Sequence, residues 1–237
     1  MQLSAILFDK DGTLFDFNRT WAAVAEQSFA VLAQDPALQN RLAELGGFDR
    51  KSQTFTPGAP MVAGTLDDIA ELWLPHLPGQ TVEGIARLLD DVALQATQQG
   101  ALVPAIDGFV PFLQDLRAMG YRLGIATHDS YQSTIEQISA VGAREQFDFI
   151  AGYDSGYGMK PGPGMLLSFA KTVSVPPAEV VMVGDSVGDL KMVGNAGGAL
   201  AIGVLSGPAR AADLAPYADH VVTTIAEIPT LLRGLSG

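Results

Sequence analysis

The fold of this 237-residue chain is indicated mainly by short, largely apolar segments that end in polar turns. The first covers residues 3–8 and leads directly into Asp9-Lys10-Asp11-Gly12. Four more cover residues 121–126, 147–151, 180–183 and 199–205, and a weaker one covers 220–223. Strands that are apolar on both faces are typical of a parallel sheet with helices on both sides.

Helical patterns separate these segments from residue 107 onward. Three of them cover residues 109–116, 165–173 and 226–232. A fourth begins at a capping box of Ser133 and Glu136, or earlier near Ser130. Strand and helix therefore alternate, which predicts βαβ units in an α/β fold with a doubly wound parallel sheet.

Residues 16–106 interrupt this alternation. They contain three helical stripes, over 21–32, 66–73 and 82–92, and no convincing buried strand. Thr65 and Asp68 predict a capping box before the second stripe, and a loop rich in Gly, Pro and Thr is predicted over residues 46–64. We therefore expect an α/β core made of residues 1–15 and 107–237, with an inserted all-α helical domain of residues 16–106.

Composition narrows the choice of partners. The chain has 26 Asp and Glu against 14 Lys and Arg, a formal net charge of −12, which argues against duplex nucleic acid or an anionic membrane. An anionic ligand would bind to such an acidic protein only where the local electrostatic field is positive, and a bound metal ion is the simplest source of that positive field. The sequence has no Cys, no recognisable signal peptide and no apolar run of membrane-spanning length, so we expect a cytoplasmic protein.

Carboxylates follow two of the predicted strands: Asp9 and Asp11 follow the first, and Asp185 and Asp189 follow the fourth. Parallel sheets bind ligands at the carboxyl ends of strands, and acids that converge there repel unless a cation lies between them or one is protonated. Three converging acids predict a site for Mg²⁺. The alternatives are a solvated turn for the first pair and a helix-dipole charge for Asp189.

The other strands lead into groups that suit an anion. Thr127-His128-Asp129-Ser130 offers a hydroxyl and backbone N–H groups before a helix, either as an anion cradle or as an N-cap. Lys160 lies in a loop stiffened by Pro161 and Pro163, where it is either a solvated charge or the counter-charge of a phosphate.

Together these motifs, Asp-x-Asp-Gly-Thr, a Thr, a Lys-Pro and Gly-Asp-x-x-x-Asp in that order, resemble those of the haloacid dehalogenase-like superfamily. The resemblance is to its Mg²⁺-dependent phosphatases of the phosphoglycolate phosphatase type, and it covers most of the chain, with residues 16–106 as the inserted helical cap. It implies hydrolysis of a small-metabolite phosphomonoester, phosphoglycolate-like or a sugar phosphate, through an aspartyl-phosphate.

The resemblance also implies catalytic roles. Asp9 would be the nucleophile, and Asp11 would be the general acid and then the general base. Thr127 would hydrogen-bond the transferring phosphoryl group, and Lys160 would neutralise charge on the nucleophile and the phosphate. Mg²⁺ would be bound by Asp9, by the backbone carbonyl of Asp11 and by Asp185, with Asp189 in an indirect, water-mediated role.

Two positions depart from the family pattern. Lys10 stands where an aromatic residue is common, and because successive strand residues alternate, we expect it to point away from Asp9 and Asp11 without a catalytic role. His128 stands where a small amide residue is common, and it either contacts substrate or caps a helix or faces solvent.

Substrate choice should come from the inserted helices, where the sequence is least informative. Arg19 follows the first motif closely and is the candidate substrate contact, and Arg50 and Lys51 lie near the start of the long loop. An Arg suits a carboxylate or second phosphate on the substrate, and the alternative for each of the three residues is a surface charge. Trp21 and Trp73 are expected in the cap core rather than against a ligand.

Several rival functions remain. Within the superfamily they are a sugar-phosphate mutase, a phosphonate hydrolase that would use Lys51 for a Schiff base, and a dehalogenase, which would leave Asp11 and the metal acids idle. From other classes they are a phospho-accepting signalling receiver and a non-catalytic binding protein. We expect a small phosphorylated metabolite as partner, and a monomer or homodimer.

Overall fold

The computed structural model describes residues 2–235, and its centre is a six-stranded, wholly parallel sheet. The strands are β1 (Ala5–Phe8), β2 (Phe48–Asp49), β3 (Thr54–Phe55), β4 (Arg122–Ala126), β5 (Phe149–Ala151), β6 (Val180–Gly184), β7 (Leu200–Val204) and β8 (His220–Val222). The central sheet has the order β5-β4-β1-β6-β7-β8. The chain builds outward from β1 to one side and then to the other, which defines a doubly wound sheet with its switch point beside β1.

Eleven α-helices are described in residues 2–235. They are α1 (Phe17–Leu32), α2 (Pro36–Gly46), α3 (Pro60–Ala63), α4 (Leu66–Trp73), α5 (Val82–Gln98), α6 (Phe109–Ala118), α7 (Tyr131–Ala140), α8 (Gly164–Thr172), α9 (Val187–Ala196), α10 (Ala211–Leu214) and α11 (Ile228–Leu235). None of the helices in this part of the chain combines the length and the apolar character needed to cross a bilayer.

Helices pack on both faces of the sheet, which explains why its strands are mostly apolar. Ile6 and Phe8 of β1 pack with α6, α7 and α11 on one face. Ala5 and Leu7 pack with α8 and α9 on the other face. The predicted doubly wound α/β fold is therefore confirmed, and all six predicted strands are present.

The segment between β1 and α6 forms its own apolar clusters. Phe17, Phe29, Trp73 and Ile85 are among the buried residues of the larger one. The predicted capping box is confirmed at α4, where the Thr65 hydroxyl accepts from the Asp68 N–H and the Asp68 carboxylate accepts from the Thr65 N–H.

The prediction of an all-α insertion with a long loop needs correction. The stretch 46–64 contains a hairpin of β2 and β3 and the short helix α3. Each strand is two residues long, which is too short for a periodic signal in the sequence. The hairpin is held by contact between the rings of Phe48 and Phe55, whose centroids lie 4.6 Å apart. Helix α2 was not predicted either, because few of its residues are buried.

Of the two predicted starts of α7, the earlier one near Ser130 is confirmed. Ser130 caps this helix, since its hydroxyl accepts from the Ser133 N–H at 3.2 Å. Ser133 and Glu136 lie inside the helix rather than forming a capping box.

Candidate active site

Three of the functional groups predicted from the sequence lie at one edge of the sheet, because each follows the last residue of a strand. Asp9 comes directly after β1, Thr127 after β4 and Asp185 after β6. Lys160 is brought to the same edge by the loop between β5 and α8. These residues, together with Asp11 and Asp189, line one cavity of about 540 Å³. Its place beside the switch point of the sheet is the usual ligand position in such folds.

Lys160 provides the positive charge next to Asp9. Its buried Nζ donates to Asp9 Oδ1 at 2.5 Å and to the Ala126 carbonyl at 3.1 Å, and lies 2.6 Å from Asp189 Oδ1. Burial alone would lower the pKa of Lys160, but the carboxylates of Asp189 and Asp9 raise it above its usual value. Lys160 is therefore an ammonium ion held against Asp9.

Asp9, Asp185 and Asp189 form a buried acidic cluster in which one carboxylate oxygen of each lies within 4.8 Å of the others. Burial, with a contribution from Asp189, raises the pKa of Asp9 to about 7 in spite of Lys160. Burial and the charges of Asp9 and Asp189 also raise the pKa of Asp185 well above its usual value. In residues 2–235, no Lys or Arg forms an ion pair with Asp185.

This cluster fits a divalent cation. With all groups ionised, three carboxylates and the Lys160 ammonium leave a local charge of −2, in a buried position that disfavours unbalanced charge. Carboxylate oxygens are the ligands that Mg²⁺ prefers. The cluster can therefore hold a metal ion. Among its three acids, Asp185 alone lacks an ion pair with Lys160.

Two glycines leave room for the Asp185 carboxylate. A Cβ at Gly12 or at Gly207 would overlap with the Asp185 carboxylate, and Gly12 also has a φ of +87°. The Ser206 hydroxyl donates to the Gly12 carbonyl at 2.7 Å and connects the two loops. Asp185 thus lies in a close-fitting position that any larger residue at these sites would disturb.

Asp189 also has a structural role. Its Oδ2 accepts from the N–H and the hydroxyl of Ser186, at 3.0 and 2.6 Å, in a capping box that begins α9. One oxygen of Asp189 therefore caps the helix, and the other lies next to Lys160 in the acidic cluster.

Lys10 differs from the sequence-based expectation. Its fully buried Nζ forms an ion pair with Asp11 Oδ2, lies 3.0 Å from Asp129 Oδ2 and donates to Gln137 Oε1 at 2.6 Å. The alternation argument fails because β1 ends at Phe8, and the chain then turns so that the Lys10 carbonyl accepts from the N–H groups of residues 14 and 15.

The position of Trp21 also differs from the expectation. Rather than serving only the cap core, its Nε1–H donates to Asp11 Oδ1 at 2.7 Å, and Trp21 lines the cavity. Asp11 is thereby held by Lys10 on one oxygen and by Trp21 on the other. Burial raises the pKa of Asp11, although Lys10 and Trp21 oppose this. No periodic pattern could have revealed these contacts, but a Lys between two acids was a visible signal.

Thr127 and His128 line the cavity beside the acids. The Thr127 hydroxyl accepts from the Asp129 N–H at 3.1 Å, so its own proton is available to an oxygen of a ligand. His128 Nδ1 lies 3.0 Å from the Ala63 carbonyl of α3 and so joins the core to the inserted helices. Burial and the charge of Lys160 lower the pKa of His128.

Arg19, the predicted substrate contact, is not brought to the site. It lies in the first turn of α1, is exposed and does not line the cavity. Its backbone N–H donates to Asp16 Oδ1, which caps the helix.

Comparisons with known proteins find phosphatases among the proteins that this chain resembles. A phosphoglycolate phosphatase from Thiobacillus denitrificans is 26% identical over 200 residues, which span 83% of this chain and 81% of that protein. A probable phosphatase, IndB, from Dickeya dadantii is 29% identical over 202 residues, or 85% of this chain and 81% of that protein. The crystal structure of CbbY from Rhodobacter sphaeroides in complex with phosphate has a TM-score of 0.71 at 24% identity and covers 96% of each chain.

A family model supports the resemblance carried by the four motifs. The model describes the haloacid dehalogenase-like hydrolases, and it matches residues 3–197, from β1 through α9. The matched span includes every acid of the cluster as well as Thr127 and Lys160. This chain therefore belongs to the haloacid dehalogenase-like hydrolases.

Proposed function

We propose that this hydrolase is a Mg²⁺-dependent phosphatase that cleaves the phosphomonoester of a small metabolite through an aspartyl-phosphate on Asp9. The observation that carries the proposal is the contact of Asp9 with the Lys160 ammonium at 2.5 Å, in a cavity that also holds Asp11 and the acidic cluster. Family membership and relatives named as phosphatases support it.

The first chemical step would transfer the phosphoryl group to the enzyme. A carboxylate oxygen of Asp9 attacks phosphorus, an O–P bond forms, and the bond to the ester oxygen breaks. Asp11 gives its proton to the leaving oxygen, and the alcohol departs. Lys160 and the Thr127 hydroxyl stabilise negative charge on the phosphoryl oxygens during the transfer.

The second step would release phosphate. Asp11, now ionised, takes a proton from water as the water oxygen attacks phosphorus, and the bond between phosphorus and Asp9 breaks. When bound, Mg²⁺ would supply positive charge that offsets the charges of the acids and the phosphate. Asp9, Asp185 and the Asp11 carbonyl would hold it, with Asp189 acting indirectly.

We also propose that residues 16–106 act as a cap on a core of residues 1–15 and 107–237. Two contacts support a closed cap: His128 with the Ala63 carbonyl, and Trp21 with the Asp11 carboxylate. Closure would exclude bulk water while the ester is cleaved.

Two of the rival reactions, the phosphonate hydrolase and the dehalogenase, find no support in the described residues. A phosphonate hydrolase would need Lys51 at the site, but this residue is exposed and does not line the cavity. A dehalogenase would make no use of Asp185 and Asp189.

Phosphate release tests the proposal. A panel of phosphomonoesters is incubated with the wild-type protein and with Asp9→Asn, in Mg²⁺ and in EDTA. We expect release only with Mg²⁺, and a loss of at least about 10³-fold in Asp9→Asn. Asp115→Asn, a matched change at an exposed position of α6, should retain full activity. Release that persists in EDTA or in Asp9→Asn would overturn the mechanism.

A further inference from the structure

We infer that the substrate is the phosphate ester of an uncharged, largely apolar alcohol, and that neither a carboxylate nor a second phosphate accompanies the reacting group. This inference rests on the proposed function and specifies the substrate class of the same cavity. It is carried by the wall that the segment between β1 and α6 contributes to the cavity.

That wall is apolar over almost its whole extent. It is built from α1, β3, α3, α4 and α5, and it includes Phe17, Phe55, Met61, Leu66, Ile69 and Leu89. The acids, Thr127 and Lys160 occupy the core side of the same cavity, so a bound phosphate places its alcohol against the apolar wall. A cavity of about 540 Å³ lies in the range that encloses small organic ligands.

The wall also lacks a cation that could bind a second anionic group. None of the cap's five basic residues lines the cavity. Arg50 pairs with Glu26 at 2.6 Å, and Arg41 and Arg87 pair with glutamates on their own helices. Arg19 and Lys51 are exposed. A site that recognises a carboxylate or phosphate normally directs an Arg or Lys at it.

The remaining charged residues around the cavity do not supply this cation. Lys160 is engaged by Asp9 and Asp189. Arg210 lines the cavity, but its side chain is 78% exposed and pairs with Asp213 at 2.9 Å. Asp90 and Asp129 also line the cavity, so a second anionic group would meet further acids.

The decisive experiment compares kcat/KM among phosphomonoesters whose leaving alcohols have similar acidity. Ethyl, butyl and hexyl phosphate form the apolar series, and 2-phosphoglycolate and fructose 1,6-bisphosphate form the anionic set. Because buried methylene groups strengthen transition-state binding, we expect kcat/KM to rise at least about 10-fold from ethyl to hexyl phosphate. We expect hexyl phosphate to exceed both anionic substrates by at least about 10-fold.

A variant gives the matched test. Val62→Arg places a cation on the apolar wall and should lower kcat/KM for hexyl phosphate while raising it for 2-phosphoglycolate. Val31→Arg makes the same change at a residue of α1 that is 54% exposed and outside the cavity, and it should alter neither value. Circular dichroism establishes that both variants are folded, and the wild-type comparison stands without them.

The possible failures can be distinguished. Mg²⁺- and Asp9-dependent hydrolysis that favours 2-phosphoglycolate or the bisphosphate would overturn this inference and leave the proposed function intact. If no ester is hydrolysed, the proposed function fails. The affinities of hexylphosphonate and phosphonoacetate, measured by calorimetry in Mg²⁺, then test separately whether the wall prefers an apolar group. Equal or tighter binding of phosphonoacetate would contradict an apolar specificity.

Discussion

At the scale of single residues, Lys10 is the least expected feature of the site. Its ammonium lies between Asp11 and Asp129 and is inaccessible to solvent. Burial would lower the pKa of Lys10, but the two carboxylates raise it above its usual value. We therefore regard Lys10 as a positioning residue that fixes the carboxylate of Asp11.

Removing the Lys10 ammonium should lower both the free energy of unfolding and kcat. Lys10→Met leaves two acids without their cation, and breaking such a buried pair typically costs about 3–5 kcal/mol. We expect a loss of this size in urea unfolding and a lower kcat. Lys171→Met, at an exposed position of α8, is the control. A Lys10→Met protein with wild-type stability and kcat would show that the contact is incidental.

The glycine beside Asp185 gives a second prediction at this scale. A Cβ at position 207 would overlap with the Asp185 carboxylate, whereas one at Gly194 would meet nothing within 4 Å. We expect Gly207→Ala to weaken Mg²⁺ binding, measured by calorimetry, at least about 10-fold. Gly194→Ala, inside α9, should bind Mg²⁺ normally and be up to about 1 kcal/mol more stable. Equal Mg²⁺ affinity in the two variants would contradict the close fit.

At the scale of elements, the predictable parts were those with a repeating signal. The six sheet strands lay in largely apolar segments because helices pack on both faces of the sheet. Asp9, Thr127 and Asp185 could be placed together because each follows a parallel strand. The β2–β3 hairpin and the turn at Lys10 had no such signal, because the hairpin strands are only two residues long and the turn is held by local backbone hydrogen bonds.

Asp148 shows how a single acid joins several elements. It accepts from the Arg117 guanidinium of α6 at 2.8 Å and from the Leu123 N–H of β4 at 3.1 Å, just before β5 begins. Burial alone would raise the pKa of Asp148, but these hydrogen bonds lower it below its usual value. A lowered pKa in the folded state stabilises the protein above the unfolded pKa, near 4, and this contribution is lost as the pH falls further.

Asp148→Asn should therefore destabilise the protein in a pH-dependent way. We expect a loss of about 1–3 kcal/mol in the free energy of unfolding at pH 7, as for hydrogen bonds to charged groups. The difference from wild type should shrink below about pH 4, where the aspartate is protonated in the unfolded chain. Urea unfolding at several pH values measures this, with Asp115→Asn as the control. A difference that stays constant down to pH 3 would exclude ionisation as its cause.

At the scale of the whole molecule, the acidic cluster lies in a protein of net charge −12. A divalent cation that binds the folded state alone should stabilise it, by about 2.7 kcal/mol at 100 times its Kd. We expect Mg²⁺ to raise Tm in wild type and in Asp115→Asn, and to have little effect in Asp185→Asn. An identical rise in Asp185→Asn would place the metal elsewhere.

Trapping the phosphoryl group on the enzyme tests whether Asp9 is the residue that carries it. In Asp11→Asn the general base is absent, and with 4-nitrophenyl phosphate the leaving phenolate needs little protonation, so the phosphorylated enzyme should accumulate. Acid quenching followed by peptide mass spectrometry should then find one phosphoryl group, on Asp9, and none in the Asp9→Asn, Asp11→Asn double variant. Nitrophenol release without phosphorylation of Asp9, or with the group on another residue, would contradict the account.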